Sequence, residues 1–285
     1  MKIEKISTKN AIFQKLEALK INRNKRHKYN EFFVEGVRNV NEAIKNNWDI
    51  VSFIYSYEKP LSNWAKDVIK NIKTKINYEL TNNLMIDISD KGNTSELIAI
   101  ISINHNDINN ISLSSNPIIV LFDRPSKKAN LGTIIRSCDA LGVELLIITG
   151  HSVDTYDPDV ISSSMGSLFK VPFIKLNENN EIDNFLSNLK KKYPSLKIIG
   201  TTSHNERNIY EIDMRGPILF LIGNETDGLN NHLVESNNIL ATIPMAKDSS
   251  TSSFNVSCAA SIMFYEASRQ RNLNKVIKWI RRSSY

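Results

Sequence analysis

Cysteine is almost missing from this sequence: Cys138 and Cys258 are the two in 285 residues. Both fall in helix-like contexts, so the chain has no disulfide framework and suits a reducing cytosol. The opening "MKIEKISTKN" lacks the apolar core of a signal peptide, and no apolar run is long enough to span a bilayer. A cytoplasmic location with no membrane attachment is expected. The histidines, at positions 27, 105, 151, 204 and 232, are isolated from one another and from cysteine. That spacing disfavours zinc, and no metal is expected. Three nucleotide and hydrolase signatures are also missing: G-x-G-x-x-G after a strand, G-x-x-x-x-G-K-[ST] and G-x-S-x-G. Dinucleotide enzymes, P-loop NTPases and serine hydrolases are thereby disfavoured.

What is present is a soluble composition, 41% hydrophobic and 23% charged, with a formal net charge of +6. A basic balance favours a polyanionic partner such as nucleic acid, although many basic proteins have none. The polar stretch 104–116, "NHNDINNISLSSN", reads as a linker between two domains. Residues 1–103 mix short strands ("EFFVEG", "IVSFIYS", "LIAIISI") with helices ("VRNVNEAIKNN", "SNWAKDVIKNI"). Ahead of them, "KINRNKRHKYN" gathers Lys20, Arg23, Lys25, Arg26 and Lys28 into a cluster suited to phosphates, or to a solvated helix end.

From residue 117 onward the pattern is more regular. Apolar runs recur at 117–122, 144–149, 170–174, 196–201, 217–223 and 238–243, mostly with helical segments between them. Such runs predict an α/β fold, a parallel sheet covered on both faces, with ligands bound at the carboxyl ends of its strands. Three loops stand at such ends. In "FDRPSKKANLGTIIRSCDALG", Asn130 falls at the expected N-cap and Arg136 lies off the apolar stripe of the following helix. In "LFLIGNETDGL", Gly223 and Gly228 permit a tight turn and close approach of a ligand, with Glu225 at the tip. In "ATIPMAKDSSTSSFNVSCAAS", a hydroxyl-rich run precedes a helix expected to start near Ser253. That helix is apolar on more than one face, which suggests a subunit contact.

Together these loops resemble the SpoU/TrmH branch of the SPOUT RNA methyltransferases, through "NLGTIIR", "IGNE" and "IPM…SSFNVS…AA". The resemblance is close over about 116–272. Residues 1–103 resemble, more loosely, that family's ribosomal-protein-like RNA-binding domain through "FFVEGVRNVNEAI". It implies a parallel-sheet methyltransferase domain over 117–272 with a C-terminal trefoil knot, preceded by the smaller α/β RNA-binding domain and followed by a basic tail at 273–285. It implies S-adenosylmethionine as cofactor, bound bent in a pocket that a second subunit completes. It carries catalytic roles onto Arg136, Asn130, Glu225, Ser253 and Asn255, and cofactor contacts onto Thr201, Gly223, Asn224, Ile243, Met245 and Phe254. The implied reaction is methylation of a ribose 2′-hydroxyl, foremost in 23S ribosomal RNA, with RNA contacts from Arg23, Lys25, Arg26 and Lys28. A transfer-RNA methyltransferase and a non-catalytic RNA-binding protein of the same fold are the alternatives. Two departures bear on RNA contacts: Pro158-Asp159 and Ser162-Ser163-Ser164-Met165-Gly166 stand where the family often carries basic residues.

Overall fold

A computed structural model of the chain describes residues 2–89, 95–104, 110–201, 207–236 and 239–283, with side chains as far as Asn272. His204, residues 105–109 of the linker and the side chains of the basic tail fall outside the described residues. In chain order the first elements are β1 (Lys2–Ile6), α1 (Ala11–Ile21), α2 (Arg23–Tyr29), β2 (Glu31–Glu35), α3 (Val37–Lys45), β3 (Ile50–Ser56), α4 (Asn63–Asn71), β4 (Ile76–Leu80), α5 (Asn82–Ile88) and β5 (Leu97–Ser102). There follow β6 (Ile118–Asp123), α6 (Lys128–Leu141), β7 (Leu145–Thr149), α7 (Pro158–Ser164), β8 (Phe173–Leu176), α8 (Asn179–Lys192), β9 (Lys197–Thr201), β10 (Arg207–Asn208), β11 (Ile218–Ile222), α9 (Asn231–Ser236), β12 (Ile239–Thr242) and α10 (Val256–Ser283). Two compact units result. One holds residues 1–105 with Asp154–Lys170, the other 106–153 with 171–285.

The first unit is a five-stranded sheet in the order β1-β4-β3-β5-β2, with β5 antiparallel to both β3 and β2. One face packs Phe33, Ile54, Ile98 and Ile100 against Phe13, Leu16 and Leu84 of the helices. The other face is completed by residues far along the chain. Phe32 meets Trp48, Tyr156 and Phe169 at ring-centroid distances of 5.8, 4.8 and 6.3 Å. The Trp48 indole donates to the Phe169 carbonyl at 2.9 Å. The segment between β7 and β8 thus folds as part of the first unit, whereas the sequence suggests an unbroken domain from residue 117. Burial of aromatic surface, which periodicity does not register, accounts for the difference.

The same segment corrects the reading of Arg26. Its side chain is 1% exposed. The guanidinium donates to Asp154 Oδ2 at 2.6 Å, to Asp157 Oδ2 at 3.3 Å, and to the carbonyls of Leu19 and Lys20 at 3.0 and 2.8 Å. A guanidinium whose donors are engaged this way, away from water, is not available to an RNA phosphate. Arg26 is a structural anchor; of its neighbours, Lys28 is exposed and Arg23 and Lys25 are half-buried.

The second unit is a fully parallel seven-stranded sheet, β10-β12-β9-β11-β6-β7-β8. β6, β7 and β11 are buried at every position, which is why they read as unbroken apolar runs. Phe185, Leu186 and Leu189 of α8 cover one face, while Phe220 meets Phe264 of α10 at 5.6 Å on the other. β8 begins three residues later than its apolar run, because Pro172 has no N–H for the ladder and pairing starts at Phe173. β11 and β12 flank β9 on opposite sides, although they follow each other in sequence. That crossover is compatible with the C-terminal knot that the family resemblance implies.

Removing the Arg26 side chain leaves two buried carboxylates uncompensated, a class of change that costs ~3–5 kcal/mol. Arg26→Ala should therefore lower unfolding free energy by about that much in urea titration, while Lys28→Ala stays within ~0.5 kcal/mol of the parent. Equal effects of the two substitutions would refute the anchor.

Candidate active site at the carboxyl ends of the parallel strands

The three motif loops emerge at the carboxyl ends of strands of the same parallel sheet: 124–127 after β6, 223–230 after the adjacent β11 and 243–255 after β12, with β9 between β11 and β12. Side-chain hydrogen bonds tie them together. The Glu225 carboxylate accepts from the Ser126 N–H and hydroxyl at 2.9 and 2.7 Å, from the Lys127 N–H at 3.0 Å and from Asn130 Nδ2 at 3.1 Å. Asn130 Oδ1 in turn accepts from Asn255 Nδ2 at 3.2 Å. Asn255 Oδ1 accepts from the N–H and hydroxyl of Ser257 at 2.9 and 2.6 Å. One chain of contacts therefore joins Glu225, Asn130 and Asn255.

This geometry revises two local readings. The N-cap of α6 is Lys127, whose side chain makes no capping bond, and Asn130 lies in the first turn, 8% exposed. Glu225 accepts the N–H groups of the N-cap Lys127 and of Ser126 before it, which sets a carboxylate at the positive end of the helix dipole. At α10 the helix starts at Val256 and Asn255 caps it, so Ser253 remains in the loop with its carbonyl accepting from Thr251 Oγ1 at 2.9 Å. Burial by itself would raise the Glu225 carboxyl. The Ser126 hydroxyl and N–H and the Asn130 amide outweigh it and hold the group below its ordinary value.

A second network holds the β6 and β11 loops in register. Arg124 has φ 47° ahead of Pro125, a left-handed conformation that ordinary residues rarely adopt. Its guanidinium donates to Asp123 Oδ2 at 3.0 Å and to the Gly228 carbonyl at 3.3 Å. Its own carbonyl accepts from Asn224 Nδ2 at 2.6 Å. Asp123, 1% exposed, also accepts from Thr149 Oγ1 at 2.8 Å and from the Asn230 N–H at 3.1 Å. Sequence reading passed over Asp123, Arg124, Ser126 and Asn230; the signal was a polar "DRPS" directly after an apolar strand.

The remaining candidates divide by what their side chains do. Asn224 Oδ1 accepts from the N–H groups of Thr226 and Asp227 at 2.8 and 3.2 Å, so its side chain builds the turn. A Cβ on Gly223 would stand 2.4 Å from the Gly228 carbonyl carbon; the close approach there is by the protein's own turn. Gly228 is required for another reason, its φ of 70°. Thr201 ends β9, with Oγ1 donating to the Leu221 carbonyl at 3.3 Å. Ile243 and Met245 are half-buried and Phe254 is 41% exposed beside the hydroxyl-rich run. Apolar side chains next to small polar ones suit a ligand with an aromatic base at one end and a charged polar group at the other, which S-adenosylmethionine has. Arg136 is exposed on α6 and makes no hydrogen bond or ion pair among the described residues. Next to it, the Ser137 and Ser261 hydroxyls lie 2.8 Å apart, joining α6 to α10.

Comparison with known proteins agrees with these motifs. The SpoU rRNA Methylase family matches residues 117–265, and the SpoU L30e-like domain matches residues 10–99. A 23S rRNA (uridine(2479)-2′-O)-methyltransferase of Streptomyces viridochromogenes is 35% identical over 94% of this chain and 92% of its own length. The crystal structure of the SpoU methyltransferase AviRb from that organism, in complex with the cofactor AdoMet, superposes with a TM-score of 0.86 at 36% identity. It covers 92% of this chain and 98% of that one. An rRNA methyltransferase from Sinorhizobium meliloti gives a TM-score of 0.80 at 25% identity, over 94% and 98% of the two chains. With its methylase domain matched over 117–265 and a relative similar along almost its whole length, the chain belongs to the SpoU rRNA methylase family.

Proposed function

We propose that this protein transfers the methyl group of S-adenosylmethionine to a ribose 2′-hydroxyl of 23S ribosomal RNA in the cytoplasm. The observation that carries the reading is the junction of three motif loops through Glu225, Asn130 and Asn255 at the carboxyl end of the parallel sheet. Its support from comparison is a relative of matching length named as a 23S rRNA 2′-O-methyltransferase. Ile243, Met245, Phe254 and the hydroxyl-rich run would hold the cofactor, which supplies an electrophilic methyl on a sulfonium. The acceptor is a neutral hydroxyl, so this chain's residues must orient it and stabilise the oxyanion that develops.

Arg136 is the residue proposed for that task. It is exposed, it is not engaged by neighbours among the described residues, and its planar fork fits a phosphate or an oxyanion. A guanidinium with pKa above ~12 is a poor proton acceptor. Glu225 is no better placed: its oxygens are occupied by the N–H groups of Ser126 and Lys127, the Ser126 hydroxyl and the Asn130 amide, which also favour its ionised form. Glu225 is accordingly a positioning residue that fixes Asn130 and the start of α6.

The protein is proposed to act as a homodimer. On α10, Cys258 and Tyr265 are exposed, the latter by 58%, and Ile262 is half-buried. They lie at i, i+4 and i+7, one apolar face left open in a single chain.

Three outcomes test this reading. Arg136→Ala should bind S-adenosylmethionine normally in calorimetry yet lose methyl transfer to 23S rRNA by ~10²–10³; retention of most single-turnover activity would remove the proposed role. Because the Glu225 carboxyl is held low, its contribution to stability is complete above the unfolded carboxylate value of ~4.3 and is lost as pH falls through its folded value. Glu225→Gln should therefore lower the melting temperature at neutral pH and lose that difference in acid, while wild-type kcat shows no carboxylate titration across the neutral range. Sedimentation at micromolar concentration should give twice 32.4 kDa, and a species of that single mass would exclude the dimer.

A further inference from the structure

Away from the motif loops, the first unit carries a concavity of about 360 Å³ lined by Tyr55, Leu61, Lys66, Ile69, Lys70, Ile72 and Lys73. That volume lies in the range of ~300–1,000 Å³ typical of pockets for small organic groups. Its construction follows from α4. Ser62 caps the helix by accepting the Ala65 N–H at 3.2 Å, and Ala65 faces the core. Lys66 and Lys70, at i and i+4, share one side of the helix, and Lys73 follows just past its C-cap; all three line the hollow. Leu61, Ile69 and Ile72 are half-buried beside them.

The charges are uncompensated. All three lysines are exposed, and none has an ion pair or hydrogen bond among the described residues. The nearest acid bonded to a lining residue is Glu79, which accepts from the Tyr55 hydroxyl at 3.4 Å and lies 3.8 Å from Lys5 Nζ. Lys70 also lies in the last turn of α4, where a cation offsets the helix dipole; that accounts for one lysine of the three. Apolar walls with a cationic rim match one chemistry well, a nucleobase in the hollow with its phosphates on the lysines.

We propose that this α4 hollow binds a single-stranded stretch of the substrate RNA, seating one unstacked base between Leu61, Ile69 and Ile72 with flanking phosphates on Lys66, Lys70 and Lys73. The assignment rests on the reading of this protein as an rRNA methyltransferase, and it adds a substrate contact remote in sequence from every motif residue.

The test uses the full-length protein and an unmodified in-vitro transcript of 23S rRNA. Binding is measured over a range of salt, separately from methyl transfer. The combined Lys66→Gln, Lys70→Gln and Lys73→Gln variant should reduce the log–log salt slope by roughly 0.7 per lost contact, about 2 in all. KM for the transcript should rise, while kcat at saturating transcript and affinity for S-adenosylmethionine stay unchanged. Replacing the same three lysines by arginine should preserve the slope. Ile69→Trp, which fills the hollow, should weaken binding at an unchanged slope, because it removes no charge. A folded glutamine variant with the parental slope overturns the assignment, as does an Ile69→Trp variant of parental affinity. Lysine-dependent binding of uridine 5′-monophosphate, with the RNA slope unaltered, would place a small anion there instead and equally overturn it. If the wild type binds the transcript but transfers no methyl group, the functional reading fails while the salt slope still decides this one.

Discussion

Glu225 sits where three independent demands meet. The backbone N–H groups of Ser126 and Lys127, which lead into α6, need an acceptor. The loop after β11 must be held against the loop after β6. Asn130 must be oriented so that its carbonyl oxygen faces Asn255 at the head of α10. One carboxylate, accepting from Ser126, Lys127 and Asn130, meets all three. Without it, the donors at the helix start and the Asn130 amide would lose their acceptor together, and the two loops would no longer be joined at this point. The dipole of α6 strengthens the arrangement, because the acid stands at the positive end of the helix.

The second network, centred on Asp123, performs a related task one layer deeper. A buried acid at the end of β6 gathers Arg124, Thr149 and Asn230 from the ends of three neighbouring strands, β6, β7 and β11. It also maintains Arg124 in a left-handed conformation that would otherwise relax. Gly228 contributes a carbonyl to Arg124 and the positive φ that folds the turn back over Gly223. The surface around the proposed acceptor site is therefore preorganised by polar contacts between loops, on a base of apolar strands. Preorganisation of this kind is what a displacement needs, since most of its barrier is lowered by placement and fixed charge.

The first unit follows a different logic. Its sheet is complete only when the Asp154–Lys170 segment covers Phe32 and Trp48 and supplies carboxylates to Arg26. The alternation of strands and helices in residues 1–103 is legible by eye, but nothing local indicates a debt to residues over a hundred positions away. β1 and β4 were also missed, because "KIEKI" and "INYEL" carry charge within the strand and have little apolar length. They pair with each other in parallel, and β4 pairs also with β3, so sheet partners define them.

Periodicity and motif order in the sequence were enough to determine the parallel sheet, the position of the three loops at strand ends and the family to which the chain belongs. These are properties of short windows: unbroken apolar runs require burial on both faces, and the motif residues are contiguous. Which residues touch was decided only by the tertiary structure. It turned Arg26 from a phosphate ligand into an anchor, and moved Asn130 from the N-cap into the first turn of α6, where its amide donates to Glu225. The physical reason is that a side chain's partner is fixed by direction and burial in three dimensions. A guanidinium reads the same in sequence whether it meets water, a carboxylate or a phosphate; the low-dielectric interior around it selects among them.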